Sequence, residues 1–382
     1  MRTYLILLSI IVSMNSCSTP DNPTETKEEP EVIEPTDSLS SLKLPDGFKI
    51  EIYAEGVENA RSMAMSDEGV LYVGTKDAGN LYALVDTDGD FKSDKKYTLA
   101  KDLNMPNGVA IKDGNLYVAE VSKLTRYDGI DQKLENLGEG TVIYENYPTE
   151  KHHGWKYIAF GPDGKLYIPV GAPCNICESK DEIYASITRI NPDGSDREIY
   201  VHGVRNSVGF TWDEEGTLWF TDNGRDMLGD DMPPCELNKA TEMGQHFGYP
   251  YCHGGDIADP EFGSKFPCSD FVVPAYKLGA HVAPLGVKFY TGTMFPASYS
   301  GSLIIAEHGS WNRTRKSGYR LMQVKVENGK AVSYDVFVEG WLDQEEQEAW
   351  GRPVDVLMLK DGSLLVSDDK AGMIYRISYS AA

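Results

Sequence analysis

The chain has 382 residues, enough for two or three average domains or for one large β architecture. Hydrophobic residues make up 41% of it, which supports a buried core, and 37 glycines, 22 tyrosines and 6 tryptophans favour turns and strands over bundled helices. Fifty-nine acidic side chains against 36 basic ones give a net charge of −23, a surface that repels phosphate backbones and argues against nucleic acid as a partner.

Met1-Arg2 precedes an apolar run, Tyr4 to Val12, too short for a stable membrane-spanning helix and suited to the core of a signal peptide. The run ends in SMNSC. Small and polar residues ahead of Cys17, followed by an acidic Pro/Thr/Glu stretch, resemble a bacterial lipoprotein signal with a tether. Met14 and Asn15 depart from the tightest form of that signal, and plain secretion with cleavage nearby is the other reading. The resemblance implies processing of residues 1–17, lipid on Cys17 and a chain anchored to a membrane only through that lipid, facing the periplasm or the cell surface. Residues 18–42 form the expected acidic tether, without apolar periodicity.

Beyond the tether one phrase recurs six times: DEGVLYV (67–73), KDGNLYV (112–118), PDGKLYI (162–168), EEGTLWF (214–220), YSGSLII (299–305) and KDGSLLV (360–366). Each is a polar turn with Gly followed by a strand of β-branched and aromatic residues; five have a short apolar strand closely before them, and the fifth copy has Gly286–Tyr290 and then a longer turn. The glycines fall at 69, 114, 164, 216, 301 and 362, a spacing of roughly 45 to 60 residues apart from one of 85. That spacing suits four-stranded antiparallel blades, and the expectation is an all-β, six-bladed β-propeller over residues 43–382. The long interval holds 222–283, rich in Asp, Gly, Pro and Cys, which reads as a loop-rich insertion on one face.

In a propeller the loops entering the innermost strands gather at one mouth of the central channel. Those positions read Arg61-Ser62, Met105-Pro106-Asn107, His152-His153-Gly154-Trp155, Val204-Arg205-Asn206, Ala283-Pro284-Leu285 and Gly351-Arg352-Pro353. A ring of arginines in so acidic a chain points to an anionic or strongly hydrogen-bonding ligand. The bland alternative is that these side chains cap blade ends. Asp86 to Asp94 has the look of a calcium loop, but Phe91 stands where an EF-hand needs Gly, so a solvated turn is the better reading.

In an exported chain, Cys174 and Cys177 can close a short loop and Cys252 can pair with Cys268, leaving Cys235 as a free thiol. Zinc on the Cys174-Cys177 pair would need two further ligands, and the sequence has no second CxxC.

The phrases MPNGVA, KHHGW…GPDG, GAPCNIC, HGVRNSVGFTWD, TDNGRD to PPCELN, FGYPYC, APLGVKFYTG, AEHGSWNR, GRPVDV and LLVSDD lie at these mouth and turn positions. With them, residues 45–380 resemble the soluble sugar dehydrogenases that use pyrroloquinoline quinone (PQQ), and the sorbosone/pyranose branch more than the glucose branch. The resemblance implies oxidation of a sugar, sugar aldehyde or related alcohol by hydride transfer to PQQ, with an external electron acceptor. It places the general base at His153, with His152 structural, and cofactor contacts at Arg205, Asn206 and Arg352. Ca²⁺ would lie on the main-chain carbonyls of Gly224 and Arg225. Asn107 is a further cofactor candidate from its place at the mouth. His308 and Arg313 stand near where the family has a cofactor lysine that this sequence lacks. A second departure is Ala172, where the glucose branch carries an aspartate beside its histidine; Asp222 or Glu236 is then expected to orient His153. Trp155 either stacks on a ligand or packs between blades. Two other functions stay open: a non-catalytic propeller that binds a sugar or a partner, and a Ca²⁺-dependent lactonase-like hydrolase using Asp222, Glu236 or Glu307.

Overall fold

The computed structural model describes residues 39–381; Cys17, the signal segment and nearly all of the tether lie outside them. Six four-stranded antiparallel sheets are arranged as blades around a central channel. Among the described residues, 3-10 turns at 130–132, 268–270 and 297–299 are the principal helical elements. Blade I runs Ala60–Met65, Leu71–Thr75, Leu81–Val85, Lys95–Ala100, and blade II runs Gly108–Lys112, Asn115–Ala119, Leu124–Tyr127, Thr141–Tyr144. Blade III takes Ala159–Phe160, Leu166–Val170, Ser186–Ile190 and Glu198–His202. Blades IV and V begin at Phe210–Trp212 and Pro284–Phe289. Blade VI is composite: Pro353–Met358, Leu364–Asp368 and Met373–Tyr379 are completed by Phe48–Ala54 from the other end of the propeller.

The repeated phrase is the turn between the first and second strands of every blade. Its six glycines all hold positive φ, from 71° to 87°, a conformation any other residue reaches only under strain. The strands that follow are buried on both faces because each blade is sandwiched between two others. Leu71–Thr75, Leu166–Val170, Leu218–Asp222, Leu303–Glu307 and Leu364–Asp368 are buried at every residue. The core is accordingly divided among the seams. Tyr72, Leu81, Val109 and Leu116 fill the seam between blades I and II, and Phe210, Phe220, Tyr167 and Ile187 that between III and IV.

The segment 222–283 differs from the expected insertion. It supplies the third and fourth strands of blade IV, Pro234–Ala240 and Tyr276–Ala280, and only the stretches around them are extra. The charged and proline-containing sequence PCELNKA hides its alternation, since Glu236 and Asn238 are themselves buried in the blade. The excursion 241–275 carries a small hairpin, Cys252–His253 with Ile257–Ala258, and is tied by the Cys252–Cys268 disulfide. Cys174–Cys177 is the second disulfide, and Cys235 is a buried free thiol. Asp86, Asp88 and Asp94 bring carboxylate oxygens within 4.8 Å of one another on an exposed loop whose Phe91 takes φ 65° under the Arg376 guanidinium.

Ring closure depends on Phe48. Its ring meets Phe295, Tyr299, Phe337 and Tyr379 at 4.7 to 5.1 Å between centroids, at angles of 60° to 80°. Phe48→Ala is expected to destabilise the fold by about 2–3 kcal/mol, read as a lower denaturation midpoint in urea.

Candidate functional site

Two sets of loops meet on one face of the ring. The first enters the innermost strands and brings Arg61, His153, Arg205, Asn206 and Arg352. The second leaves the second strands and brings Lys76, Asn223 to Asp226, His308 to Trp311, and Asp369. They enclose a cavity of about 520 Å³.

His153 sits in the wall, 8% exposed, with its main chain at φ 51°. The loop closes tightly here: a Cβ on Gly171 would come within 2.5 Å of the His153 Cβ. The Nδ1 atom lies 2.9 Å from the Ala172 carbonyl oxygen. A carbonyl only accepts, so Nδ1 carries the proton and Nε2 keeps its lone pair. The orienting group is therefore the main chain of Ala172 itself. Asp222 and Glu236 do not orient His153: Asp222 accepts the Arg205 and Asn206 N–H groups at 2.8 and 2.6 Å, and Glu236 accepts from Gly254 N–H and the Asn238 amide. Burial, then the Arg205 charge, then His152, push the His153 pKa well below 6.5, so the imidazole is neutral at physiological pH. His152 packs on it with ring centroids 4.0 Å apart.

Three guanidinium groups are fixed around the cavity. Arg205 donates Nε to the Asn175 carbonyl (2.8 Å), Nη2 to Asn175 Oδ1 (2.9 Å) and Nη1 to the Asn223 carbonyl (3.1 Å). Arg352 donates Nε and Nη2 to the carbonyls of His308 and Gly309, both at 2.9 Å. Arg61 donates to Asn107 Oδ1 at 2.8 Å and to Asp369 at 2.9 Å. Asp369 also meets His308 Nε2 at 2.8 Å. Burial opposes ionisation of Asp369, but His308 and Arg61 overcome it and hold that carboxyl far below the ordinary range. His308 is pushed down to about 4 by burial, against the pull of Asp369.

The expected site residues divide. His153, Arg205, Asn206, Gly224, His308 and Arg352 line the cavity together. Asn107 is fully buried behind it, where it accepts from Arg61 and donates to the Lys156 carbonyl at 2.8 Å; it holds a cavity arginine and does not reach the cavity. Arg313 is outside, clamped to the Asp230 carbonyl and Asp231 on the surface. The Arg225 side chain turns away to the buried Asp259. Trp155 lines the cavity edge under the Lys76 ammonium, 4.5 Å from the ring centre, and packs on Val208, Leu285 and Val354. Trp311 stands at the rim, 72% exposed. The residues missed from sequence, Asn175, Asp226 and Asp369, all follow second strands. Asp369 is marked by the SDD that directly follows its repeated phrase, whereas Asn175 and Asp226 lie seven and six residues beyond theirs.

Three features leave room for a ligand of defined chemistry. Among the described residues, Arg61 Nη2, Arg352 Nη1 and the Asn206 carboxamide make no hydrogen bond to the protein, and neither do the main-chain carbonyls of Gly224 and Arg225. Two free guanidinium edges and an amide match a planar polycarboxylate, and adjacent free carbonyls match Ca²⁺.

Comparison with known proteins fits this geometry. The TrAA12-like family matches residues 42–380. The chain belongs to that family. An uncharacterized protein of Borreliella burgdorferi is 35% identical over 356 residues, covering 89% of this chain and 91% of its own. The pyrroloquinoline quinone-dependent pyranose dehydrogenase of Coprinopsis cinerea is 21% identical over 405 residues; the match takes in 88% of this chain and 54% of that enzyme, so the chain spans about half its length. The holo PQQ domain of the Coprinopsis cinerea pyranose dehydrogenase superposes with a TM-score of 0.77 at 18% identity, covering 88% of this chain and 97% of that one. The calcium structure of Trichoderma reesei family AA12 gives 0.76 at 21% identity, over 89% and 97%. The PQQ-bound aldose sugar dehydrogenase of Streptomyces coelicolor gives 0.64 at 21% identity, over 88% and 100%. At these identities the structural likeness establishes the fold.

Asp222 carries a consequence for pH. Burial and the neighbouring Glu236 raise its pKa from 3.8 to about 7. The folded chain thus holds a proton that the unfolded chain releases, so this stabilisation is complete below about pH 4 and is lost as pH rises through about 7. Wild-type melting temperature is expected to fall between about pH 5 and pH 8, and Asp222→Asn is expected to show a shallower fall across the same series.

Proposed function

We propose that the chain is a PQQ- and Ca²⁺-dependent oxidoreductase that oxidises a sugar, sugar aldehyde or related alcohol, with His153 as general base. The observation that carries this reading is the pairing of His153 Nε2, unprotonated and facing the cavity, with arginine and carbonyl groups left unsatisfied by the protein. When bound, PQQ supplies the two-electron acceptor for the substrate hydride, and Ca²⁺ supplies a Lewis acid.

The chain's own residues do the rest. Arg61, Arg352 and Asn206 would hold the cofactor by its carboxylates and carbonyls, and Gly224 and Arg225 would offer main-chain oxygens to the metal. His153 Nε2 accepts the proton of the substrate hydroxyl, while Nδ1–H on the Ala172 carbonyl keeps the ring in the required tautomer and orientation. The proton is then released to solvent through the open mouth, past Trp311. The low pKa of His153 keeps the base ready at neutral pH at some cost in proton affinity.

A lactonase-like hydrolase fits less well. Asp222 and Glu236 are spent on N–H groups in the wall, and Glu307 pairs with Arg320 behind it. Of the carboxylates that do line the cavity, Asp226 and Asp369 are paired with cationic groups. A binding propeller without catalysis is the outcome if PQQ binds and no substrate is oxidised. We further propose export and lipid attachment at Cys17, with electrons leaving to an external acceptor.

Purified protein starting after residue 20 would be titrated with PQQ in the presence and absence of Ca²⁺, then assayed for dye reduction with aldoses and sugar aldehydes. Binding that requires Ca²⁺ is expected; no binding at micromolar PQQ would sink the proposal. His153→Gln is expected to lower kcat by about 10²–10⁴-fold with PQQ still bound. Arg352→Ala is expected to weaken PQQ binding by at least about tenfold. The acid limb of kcat/KM should lie below the pH 6.5 of an ordinary histidine.

A further inference from the structure

The loop that orients the proposed base also holds a buried cavity arginine, Arg205. We propose that Asn175, fixed by the Cys174–Cys177 disulfide, is a positioning residue that locks the Arg205 guanidinium into the cavity wall and keeps the base beside it in place.

Asn175 uses both its main chain and its side chain. Its carbonyl and Oδ1 take two of the Arg205 N–H groups in a fork, and the same Oδ1 accepts Asp226 N–H at 2.8 Å. Its Nδ2 donates to the Asp226 carbonyl at 3.1 Å. One side chain thus ties the blade III loop to the blade IV loop that carries Gly224 and Arg225. The main chain of this strap does a second task. Ala172 N–H donates to the Arg205 carbonyl at 2.8 Å, and the Ala172 carbonyl takes His153 Nδ1–H at 2.9 Å.

Residues 173–177 are half-buried and belong to no strand, so this loop would be mobile if it were open. The disulfide closes it across three residues of sequence separation, and Tyr249 secures its far end through Cys177 N–H at 3.1 Å. Asn175 is therefore presented by a short covalent ring, and an arginine that would otherwise sample several rotamers is held in one.

The catalytic consequence rests on the function proposed above, but the positioning does not, and it is measurable with nothing bound. The charged or titratable groups that bear on His153 are Arg205 and His152. Loosening the strap admits water and lets the guanidinium move off. Burial and the Arg205 charge are the two largest causes of the low His153 pKa, so both changes raise it.

The test is a His153 titration by NMR on cofactor-free protein carrying labelled histidine, run alongside equilibrium PQQ binding in Ca²⁺. In Asn175→Ala the His153 pKa is expected to rise by at least about half a unit. PQQ affinity is expected to fall about tenfold, with the melting temperature within about 2 °C of wild type. A Cys174→Ser/Cys177→Ser variant, which keeps Asn175 but opens the ring, is expected to move both quantities in the same direction. An unchanged His153 titration in Asn175→Ala overturns the proposal. A shift in Asn175→Ala with none in the double cysteine variant overturns the role of the disulfide. If wild-type protein binds no PQQ, the functional reading fails while the titration still decides the positioning.

Discussion

A propeller closes only if its last blade is completed, and here that completion comes from Phe48–Ala54 pairing with Met373–Tyr379. Every blade is packed between two others, so the core consists of seams, and each seam is as good as the ring is closed. The aromatic cluster around Phe48 packs this strand, drawn from the other end of the propeller, against blade V. Because the ring is closed and its strands are buried on both faces, the loops at its mouth start from fixed points.

That rigidity explains how a site can be built from main-chain oxygens. His153 is oriented by the Ala172 carbonyl, Arg352 by the carbonyls of His308 and Gly309, and Arg205 by those of Asn175 and Asn223. Carbonyls of this kind satisfy buried cations without cancelling their charge, as a carboxylate would. The cavity thereby keeps positive potential inside a chain of net charge −23. Two carboxylates do take part: Asp226 lies 3.5 Å from Arg205, and Asp369 pairs with Arg61 and also takes up His308, so that one anion anchors two cavity residues.

Much of this was legible in the sequence, because each blade announces itself by a turn that only glycine makes comfortably followed by a fully buried strand. The loops that enter the innermost strands could be found by counting from those turns, which put His153, Arg205, Asn206 and Arg352 in one place. Two kinds of feature were not legible. Blade IV hides its third strand under Glu236 and Asn238, buried polar residues that bond each other, with Glu236 also accepting from Gly254 N–H, a partner distant in sequence. The group orienting His153 was sought among side chains because Ala172 has none to offer, whereas a main-chain carbonyl leaves no trace in residue identity. Asn107 and Arg313 show the converse: a polar residue at a mouth position reads the same whether it faces the cavity, supports a residue that does, or lies on the outer surface.

The pairing of Phe48 with Tyr379 also places the two ends of the propeller side by side, on the outer strands of a single blade. A short linker would join them, and the open turn at Gly301, with no neighbour near a Cβ built on it, offers a place to cut. The architecture is therefore cyclic in a topological sense. A circular permutant beginning in blade V would keep every seam and every cavity loop, and it would move the start of the chain, with whatever is attached there, to the Gly301 turn on the face opposite the cavity.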